Sequence, residues 1–185
     1  MNDQTFWKQY LNASVKIRSA EESDRELFLK RVQESTELHT PWVKPPDTED
    51  AFQSYLARIR GERHQGYLVL NETNEALHGV ININEIVLGN FRSGYLGYYG
   101  FSGSEKMGYM TTGLIHVLNH SFKVLKLNRL EANIQPDNIA SVNLVKKLRF
   151  RKEGFSPRYL NILGTWQDHE RWAVTAAEWL HGQSF

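Results

Sequence analysis

The hydrophobic period of this sequence changes near residue 66, and that change restricts the folds open to the chain. The runs 66–70 (GYLVL), 76–88 (ALHGVININEIVL) and 93–101 (SGYLGYYGF) alternate apolar and polar residues or stay apolar and β-branched, as strands do. The residues between the first two runs, NETNE, have the composition of a hairpin turn. The three runs therefore predict consecutive strands of one sheet.

Helical periods and further strands surround this group. VKIRS, residues 15–19, predicts a strand, and Ser19 and Glu22 have the spacing of a capping box at the start of a helix. Apolar spacing predicts helices through Leu27, Phe28 and Val32, through Phe52, Tyr55, Leu56 and Ile59, and along the stripe Met110, Leu114, Val117, Leu118, Phe122 and Leu125. It also predicts a strand over 128–134, a helix over 138–148 that buries Ile139, Val142, Val145 and Leu148, and a closing hairpin of 154–163 and 169–176.

The order of elements is strand, two helices, three strands, helix, strand, helix and two strands. This order predicts an α/β (α+β) fold with a mixed, mostly antiparallel central sheet of about seven strands and about four flanking helices. No repeat or linker divides the chain, and 41% of its 185 residues are hydrophobic. We expect residues 1–185 to form a single domain.

Charge and cysteine content exclude several classes of function. The 22 basic and 21 acidic residues leave a net charge of +1, so we expect no direct binding of nucleic acid or membranes by the whole surface. The chain has no cysteine, which excludes disulfides and thiolate sites. We expect a cytoplasmic protein, because the opening residues lack a leader pattern and no long apolar run occurs. We expect it to be a monomer or a homodimer.

The segment 100–114, GFSGSEKMGYMTTGL, joins a strand end to a helix start through a glycine-containing loop. Backbone N–H groups and the helix dipole at such a junction suit a phosphate or pyrophosphate, although a tight turn that uses glycine for its backbone angles explains the same residues. Neither a Gly-x-Gly-x-x-Gly pattern nor a Gly-Lys-Ser/Thr ending is present, which disfavours a dinucleotide enzyme or an ATPase.

Together, GYMTTGL and LNRLEANIQPDNIASVNLVKKLRF resemble the GNAT superfamily of acetyl-CoA-dependent N-acetyltransferases, in particular its ribosomal-protein alanine branch. The most specific part is Asn-x-x-Ser-x-x-Leu-x-x-Lys-x-Gly-Phe, matched by Asn138, Ser141, Leu144, Lys147 and Phe150. The resemblance covers nearly the whole chain and is weakest over 34–66 and the C-terminal tail. It implies acetyl-CoA as cosubstrate and no metal.

The resemblance also implies a role for each part of the site. Ser141 would donate a proton to the leaving thiolate, and Asn138, which we also expect to be the N-cap of its helix, would contact the pantetheine arm. The main chain of 98–101 would bind the pantetheine beside a splayed strand at 131–134, and the backbone of about 107–112 would bind the pyrophosphate. The implied cofactor-binding residues are Tyr98, Tyr99, Gly100, Phe101, Lys106, Met107, Gly108, Tyr109, Met110, Thr111, Thr112, Asn133, Asn138, Ser141 and Lys147.

Three positions depart from the family pattern. In the glycine loop, Gly103 replaces a glutamine or arginine and Lys106 replaces the first glycine, while Arg149 replaces the glycine before Phe150. Lys106 costs backbone freedom but offers a positive charge to the pyrophosphate. We expect cofactor binding to be retained.

Acetyl transfer by direct attack on a thioester needs a neutral amine. An N-terminal α-amine has a reference pKa of about 7.7–8.0, against about 10.4 for lysine, so little base strength is required. Glu85 and Glu131 are candidate bases acting through water, but Glu131 can also simply pair with Arg129, and Glu85 can be a solvated strand end. Tyr98 and Tyr99 point to opposite faces of a strand, so at least one is expected in the core.

The acceptor side is predicted from the segments that match the family least. His39 and Trp42 in the segment 35–46, and Tyr159 near the last turn, are the candidate substrate-binding residues. The leading function is acetylation of a protein N-terminal amine, plausibly that of a ribosomal protein. The alternatives are acetylation of a small amine (a polyamine, amino sugar or antibiotic), a non-catalytic CoA-binding regulatory module, and an interaction domain without CoA.

Two further patterns have simple explanations. His116 and His120 have a spacing that can chelate a metal, but no third ligand accompanies them, and packed or solvent-facing histidines account for the pair. The basic run between residues 146 and 152 is typical of a solvated face, with the 3′-phosphate of the coenzyme or an RNA-rich partner such as a ribosome as the alternative.

Overall fold

The computed structural model of the protein describes residues 14–181. Its strands are β1 Val15–Ser19, β2 Gln65–Asn71, β3 Leu77–Val87, β4 Ser93–Gly100, β5 Arg129–Ile134, β6 Arg151–Ile162 and β7 Thr165–Thr175. Its helices are α1 Arg25–Glu34, α2 Thr36–His39, α3 Glu49–Ile59, α4 Tyr109–Lys123, α5 Ile139–Lys147 and α6 Ala176–His181, and a 3₁₀ turn spans Glu22–Asp24. The prediction about the chain's opening residues concerns mainly 1–13, which lie outside the described residues.

The seven strands form one sheet in the order β1-β2-β3-β4-β5-β7-β6. All neighbours are antiparallel except β4 and β5, which are parallel. The predicted mixed, mostly antiparallel sheet of seven strands is therefore confirmed. Apart from the four predicted helices, the described residues contain the short helices α2 and α6, which are too brief to show a helical hydrophobic period.

Both faces of the sheet are covered, which explains why successive residues of β2, from Tyr67 to Leu70, are apolar or aromatic and buried. On one face α4 and α5 pack against residues such as Val69 and Ile81. On the other face α1 and α3 pack against the alternate residues, such as Leu68 and Val80. The neighbouring strands β4 and β5 lie in the middle of the sheet, between these two helix layers.

The parallel pair β4–β5 separates part of the way along its length. Pairing runs from Ser93 opposite Arg129 to Leu96 opposite Ala132 and then stops. Beyond that point β4 stays paired with β3, and β5 stays paired with β7. The inner edges of the two strands therefore open into a fork, as the resemblance implied for 98–101. Of the implied splayed segment 131–134, Glu131 and Ala132 are still paired with β4, and only residues 133–134 lie beyond the last pair.

Two local predictions are wrong. The capping box is formed by Glu21 and Asp24 and not by Ser19 and Glu22, so it lies two residues later than predicted. The Asp24 carboxylate accepts from the Glu21 N–H at 2.8 Å and is paired with Arg18. Ile139 is not buried but 61% exposed, because it occupies the first position of α5 and the core-facing stripe begins at Val142.

Within residues 14–181, the structure has no helix that is long and apolar enough to cross a lipid bilayer.

Candidate active site

The fork between β4 and β5 opens into a cleft of about 690 Å³. Its walls are the end of β4, the end of β5, the loop before α4, and the first turns of α4 and α5. The separated strand edges present main-chain N–H and C=O groups that have no strand partner across the fork. A ligand with amide groups could therefore hydrogen-bond along β4 as an extra strand would.

The start of α5 supplies the polar end of this cleft. Asn138 is the N-cap, as predicted, and its side-chain oxygen accepts from the Ser141 N–H at 3.1 Å. The Ser141 Oγ lies 2.7 Å from the Tyr98 hydroxyl, so one of the two hydroxyls donates to the other. Burial raises the pKa of Tyr98 above its usual range, although the hydrogen bond with Ser141 opposes that effect. Tyr98 therefore keeps its proton at neutral pH.

Tyr98 and Tyr99 divide between the two sides of β4, as strand geometry predicts. Tyr98 packs against the core that contains α4 and α5, whereas Tyr99 is buried in the core that contains α1 and α3. Both still border the cleft.

The glycine loop before α4 is held in an unusual backbone conformation. Gly103, Lys106 and Gly108 have φ angles of +80°, +61° and +87°, in the left-handed region that favours glycine. Gly108 is the N-cap of α4, and its carbonyl accepts from the Thr112 N–H at 3.0 Å. Lys106 adopts this conformation although, unlike glycine, it has a Cβ, so the loop bears the backbone cost expected from the sequence.

Residues that the sequence did not single out anchor this loop. The Arg31 guanidinium donates to the Ser102 carbonyl at 2.7 Å, and the Ser35 hydroxyl accepts from the Ser102 N–H at 2.9 Å. His78 Nδ1 lies 2.8 Å from the Ser104 hydroxyl, and its ring stacks on Tyr109 with centroids 3.5 Å apart. Arg31, Ser35 and His78 come from α1, the residue after α1, and β3, so no local motif could have linked them to the loop.

Most of the predicted cofactor-binding residues line the cleft, and three do not. Those at the cleft are Tyr98, Tyr99, Gly100, Phe101, Lys106, Gly108, Met110, Thr111, Asn133, Asn138, Ser141 and Lys147. Met107, Tyr109 and Thr112 do not line it. Met107 is 56% exposed outside the cleft. Tyr109 is buried against His78 and Thr112 is buried, so only the main chains of these two residues could face a ligand.

The structure does not bring either candidate base to the cleft. Glu85 lies at the irregular end of β3, exposed and paired with Arg63. Glu131 accepts from Arg129 at 2.8 Å, the simple pairing that the sequence left open.

On the acceptor side, His39 and Trp42 line the cleft but Tyr159 does not. His39 is buried and its Nε2 donates to the Gly100 carbonyl at 2.9 Å, which orients the ring at the end of β4. Burial lowers the pKa of His39 despite that hydrogen bond, so the ring is neutral at pH 7. Tyr159 instead packs edge-on against His169, which does reach the cleft and was not predicted.

The described residues contain no group of three or more His, Asp or Glu side chains placed to hold a metal ion. Of the two histidines with chelating spacing, His116 and His120, the second packs edge-on against the Tyr67 ring.

Known proteins similar to this chain are acetyltransferases. The ribosomal protein uS5-alanine N-acetyltransferase of Escherichia coli is 31% identical over 151 residues, which cover 77% of this chain and 78% of that protein. The structure of Mycobacterium smegmatis RimJ in complex with CoA-disulfide superposes with a TM-score of 0.82 at 26% identity, covering 92% of this chain and 85% of that one. The spermidine N(1)-acetyltransferase of Vibrio cholerae is 20% identical over 92% of this chain and 98% of its own length.

The cleft fits the cosubstrate of such enzymes. The fork offers main-chain partners along β4, and the loop that contains Gly103 and Gly108 leads into the N-terminus of α4, where the helix dipole favours an anion. The Asn133 side-chain oxygen is buried at the cleft without a hydrogen-bond partner among the described residues, as expected for a group that meets a ligand.

The family match agrees with this fit. The sequence model of the family described as "Acetyltransferase (GNAT) domain" matches residues 14–151 of this chain. That range contains the fork, the glycine loop and Ser141, and it takes in well over half of the chain. The protein therefore belongs to the GNAT family and is an acetyl-CoA-dependent N-acetyltransferase.

Proposed function

We propose that this enzyme acetylates the N-terminal α-amine of a protein, such as a ribosomal protein. The observation that carries the proposal is the charge of the cleft. Glu105 is the only carboxylate among the described residues that line it, and Glu105 lies on the glycine loop beside Lys106. A polyamine carries several positive charges and requires facing carboxylates, whereas a peptide N-terminus does not.

The arrangement of side chains suits an amine that loses its proton easily. Acetyl-CoA supplies an activated acyl group, and the reaction forms a C–N bond as the C–S bond breaks. Ser141 donates its proton toward the departing sulfur and is re-protonated through Tyr98, to which it is hydrogen-bonded. Glu85 and Glu131 are paired with arginines away from the cleft, so in this proposal water removes the proton of an α-amine whose pKa is already near 8.

In this proposal residues 1–185 form one acetyltransferase domain, which acts in the cytoplasm as a monomer or homodimer. The family match over residues 14–151 supports the single acetyltransferase domain.

The test is thiol release from acetyl-CoA by the purified protein with a panel of acceptors. Ala-initiated and Ser-initiated peptides, free lysine, spermidine and an aminoglycoside should be compared at equal concentration. We expect release with the peptides, and mass spectrometry should place the acetyl group on the α-amine. Release with spermidine but with none of the peptides would overturn the proposal.

Acetylation of a small amine is the second candidate. It is favoured by the similarity to the V. cholerae spermidine enzyme, which extends over 92% of this chain. The scarcity of carboxylates in the cleft argues against a polycation, so within this class a monoamine is the better acceptor.

A further inference from the structure

A second cavity, of about 260 Å³, adjoins the cleft. We call it the Arg58 pocket. It shares Val43, Gly97, Tyr98 and Tyr99 with the cleft and has these further lining residues: Lys44, Pro45, Pro46, Tyr55, Arg58, Asn82 and Asn84. Gly97 is the first β4 residue beyond the last β4–β5 pair, so the pocket meets the cleft where the fork opens.

Small residues make room for polar side chains in this pocket. The Tyr55 hydroxyl donates to the Asn82 side-chain oxygen at 3.0 Å, and a Cβ at Gly66 would lie 2.3 Å from that hydroxyl. A Cβ at Gly97 would lie 3.2 Å from the Asn84 amide nitrogen. Since the Asn82 oxygen is occupied by Tyr55, the amide nitrogens remain as the donors that a ligand can use.

Tyr99 contributes a buried hydroxyl without a protein partner. The residue is 8% exposed, and its oxygen has no hydrogen-bond partner among the described residues. It lies close enough to the hydroxyl of Tyr55 and the guanidinium of Arg58 to interact with both electrostatically. Burial raises the pKa of Tyr99, so this hydroxyl remains a donor, and a buried donor without a partner is unfavourable unless a ligand satisfies it.

The charge of the pocket has one sign. Lys44 and Arg58 are its charged lining residues, and none of the described residues that line it is Asp or Glu. The Arg58 guanidinium carbon lies 5.8 Å from the centre of the Tyr55 ring, which holds the cation at the pocket. Two cations, two amides and a hydroxyl donor together suit a carboxylate.

We propose that the Arg58 pocket binds a carboxylate of the acceptor, namely an acidic side chain in the first few residues of the protein N-terminus. This inference rests on the proposed function. Gly97, Tyr98 and Tyr99 of β4 line both cavities, so an acceptor chain anchored in the pocket can extend through the opening of the fork to the cleft that contains Ser141. The pocket would then select among N-termini by charge.

Matched peptides test the inference. Ala-initiated peptides should carry Glu or Gln at position two, three or four and be otherwise identical. In the wild-type enzyme we expect kcat/KM to be roughly tenfold higher for the Glu peptide at the preferred position, the lower end for a charge-assisted hydrogen bond. Arg58→Gln should abolish that difference, whereas Arg60→Gln, an exposed arginine at the end of the same helix, should preserve it.

Three outcomes would overturn the inference. Equal kcat/KM for every Glu and Gln pair in the wild type would show that the pocket does not read charge. Loss of both activities to the same extent in Arg58→Gln would indicate a structural role. Faster acetylation of free glutamate than of the Glu peptides would assign the carboxylate to an amino acid. By contrast, failure of the proposed function would appear as no turnover of any peptide alongside turnover of spermidine.

Tyr99→Phe provides an independent readout. Because the hydroxyl has no protein partner, its removal should leave the thermal midpoint unchanged or slightly higher. It should nevertheless lower the ratio of kcat/KM for the Glu peptide to that for the Gln peptide severalfold. A lower thermal midpoint with no change in the Glu to Gln ratio would contradict the inference.

Discussion

Ser141 occupies the third position of α5 and is held there from two sides. The Asn138 side-chain oxygen accepts from the Ser141 backbone N–H, and the Tyr98 hydroxyl is hydrogen-bonded to the Ser141 hydroxyl. The following residue, Val142, is buried in the core, so Ser141 faces the cleft while its neighbour supports the helix. A polar residue at this point of an apolar helix is thus explained by its contact with β4.

Ser141→Ala is expected to lower kcat by roughly 100-fold, the lower end for the loss of a proton donor. The affinity for acetyl-CoA should stay nearly unchanged, because the N-cap bond uses the backbone of residue 141 and survives the change. Stopped thiol-release assays and calorimetric titration measure the two quantities. An unaltered kcat would remove Ser141 from the mechanism.

Tyr98→Phe is expected to lower kcat less than Ser141→Ala does, since it removes only the partner of the donor. In the Ser141→Ala background it should have little further effect, because two residues that act as a unit are not additive. A double-mutant cycle on kcat measures this coupling. Additive losses would mean that the two hydroxyls act separately.

At the scale of elements, the loop before α4 combines a strained conformation with a positive charge. Lys106 has a φ of +61° and lies exposed at the cleft. Arg31 of α1 and Ser35, the residue after α1, both hydrogen-bond the backbone of Ser102 at the start of this loop. These contacts anchor the loop although a lysine stands in place of the family's glycine.

Lys106→Glu is expected to weaken acetyl-CoA binding roughly three- to tenfold at low salt, because a negative charge replaces a positive one near the phosphates. The difference should shrink as ionic strength rises. Lys123→Glu, an exposed lysine at the other end of α4, should have no such effect. Equal affinities of the wild type and Lys106→Glu would show that Lys106 points away from the phosphates.

At the scale of the whole molecule, buried histidines couple the fold to pH. Burial lowers the pKa of four of them: His39, His78, His116 and His169. Their folded-state pKa values thus lie below the value of about 6.5 in the unfolded chain. Below that pH the unfolded chain binds more protons than the folded one, so the free energy of unfolding decreases as the pH is lowered.

The free energy of unfolding is therefore expected to be fully maintained above about pH 6.5 and to decrease between pH 6.5 and pH 5. Urea denaturation at a series of pH values measures it. His39→Gln should flatten this dependence, while His181→Gln, at an exposed position, should not change it. A stability that is constant from pH 7.5 to pH 5 would contradict the role of these histidines.

The sequence by itself determined the order of elements, the apolar stripes of α4 and α5, the Asn138 cap and the glycine loop. Each of these depends on spacing within one short segment, which the sequence displays directly. The same local spacing misplaced the first capping box and the burial of Ile139, where a contact with Arg18 and the exact start of a helix decided the outcome.

Only the tertiary structure decided which side chains meet. Tyr98 and Ser141, which are hydrogen-bonded, are 43 residues apart in the chain. Glu85 and Glu131 form ion pairs with Arg63 and Arg129 and do not line the cleft. The family resemblance implied the fork, but only the strand pairing shows where it opens. The Arg58 pocket likewise arises where α3 packs beneath the sheet. Such contacts depend on how distant segments pack, and the spacing of residues along a single segment carries no information about them.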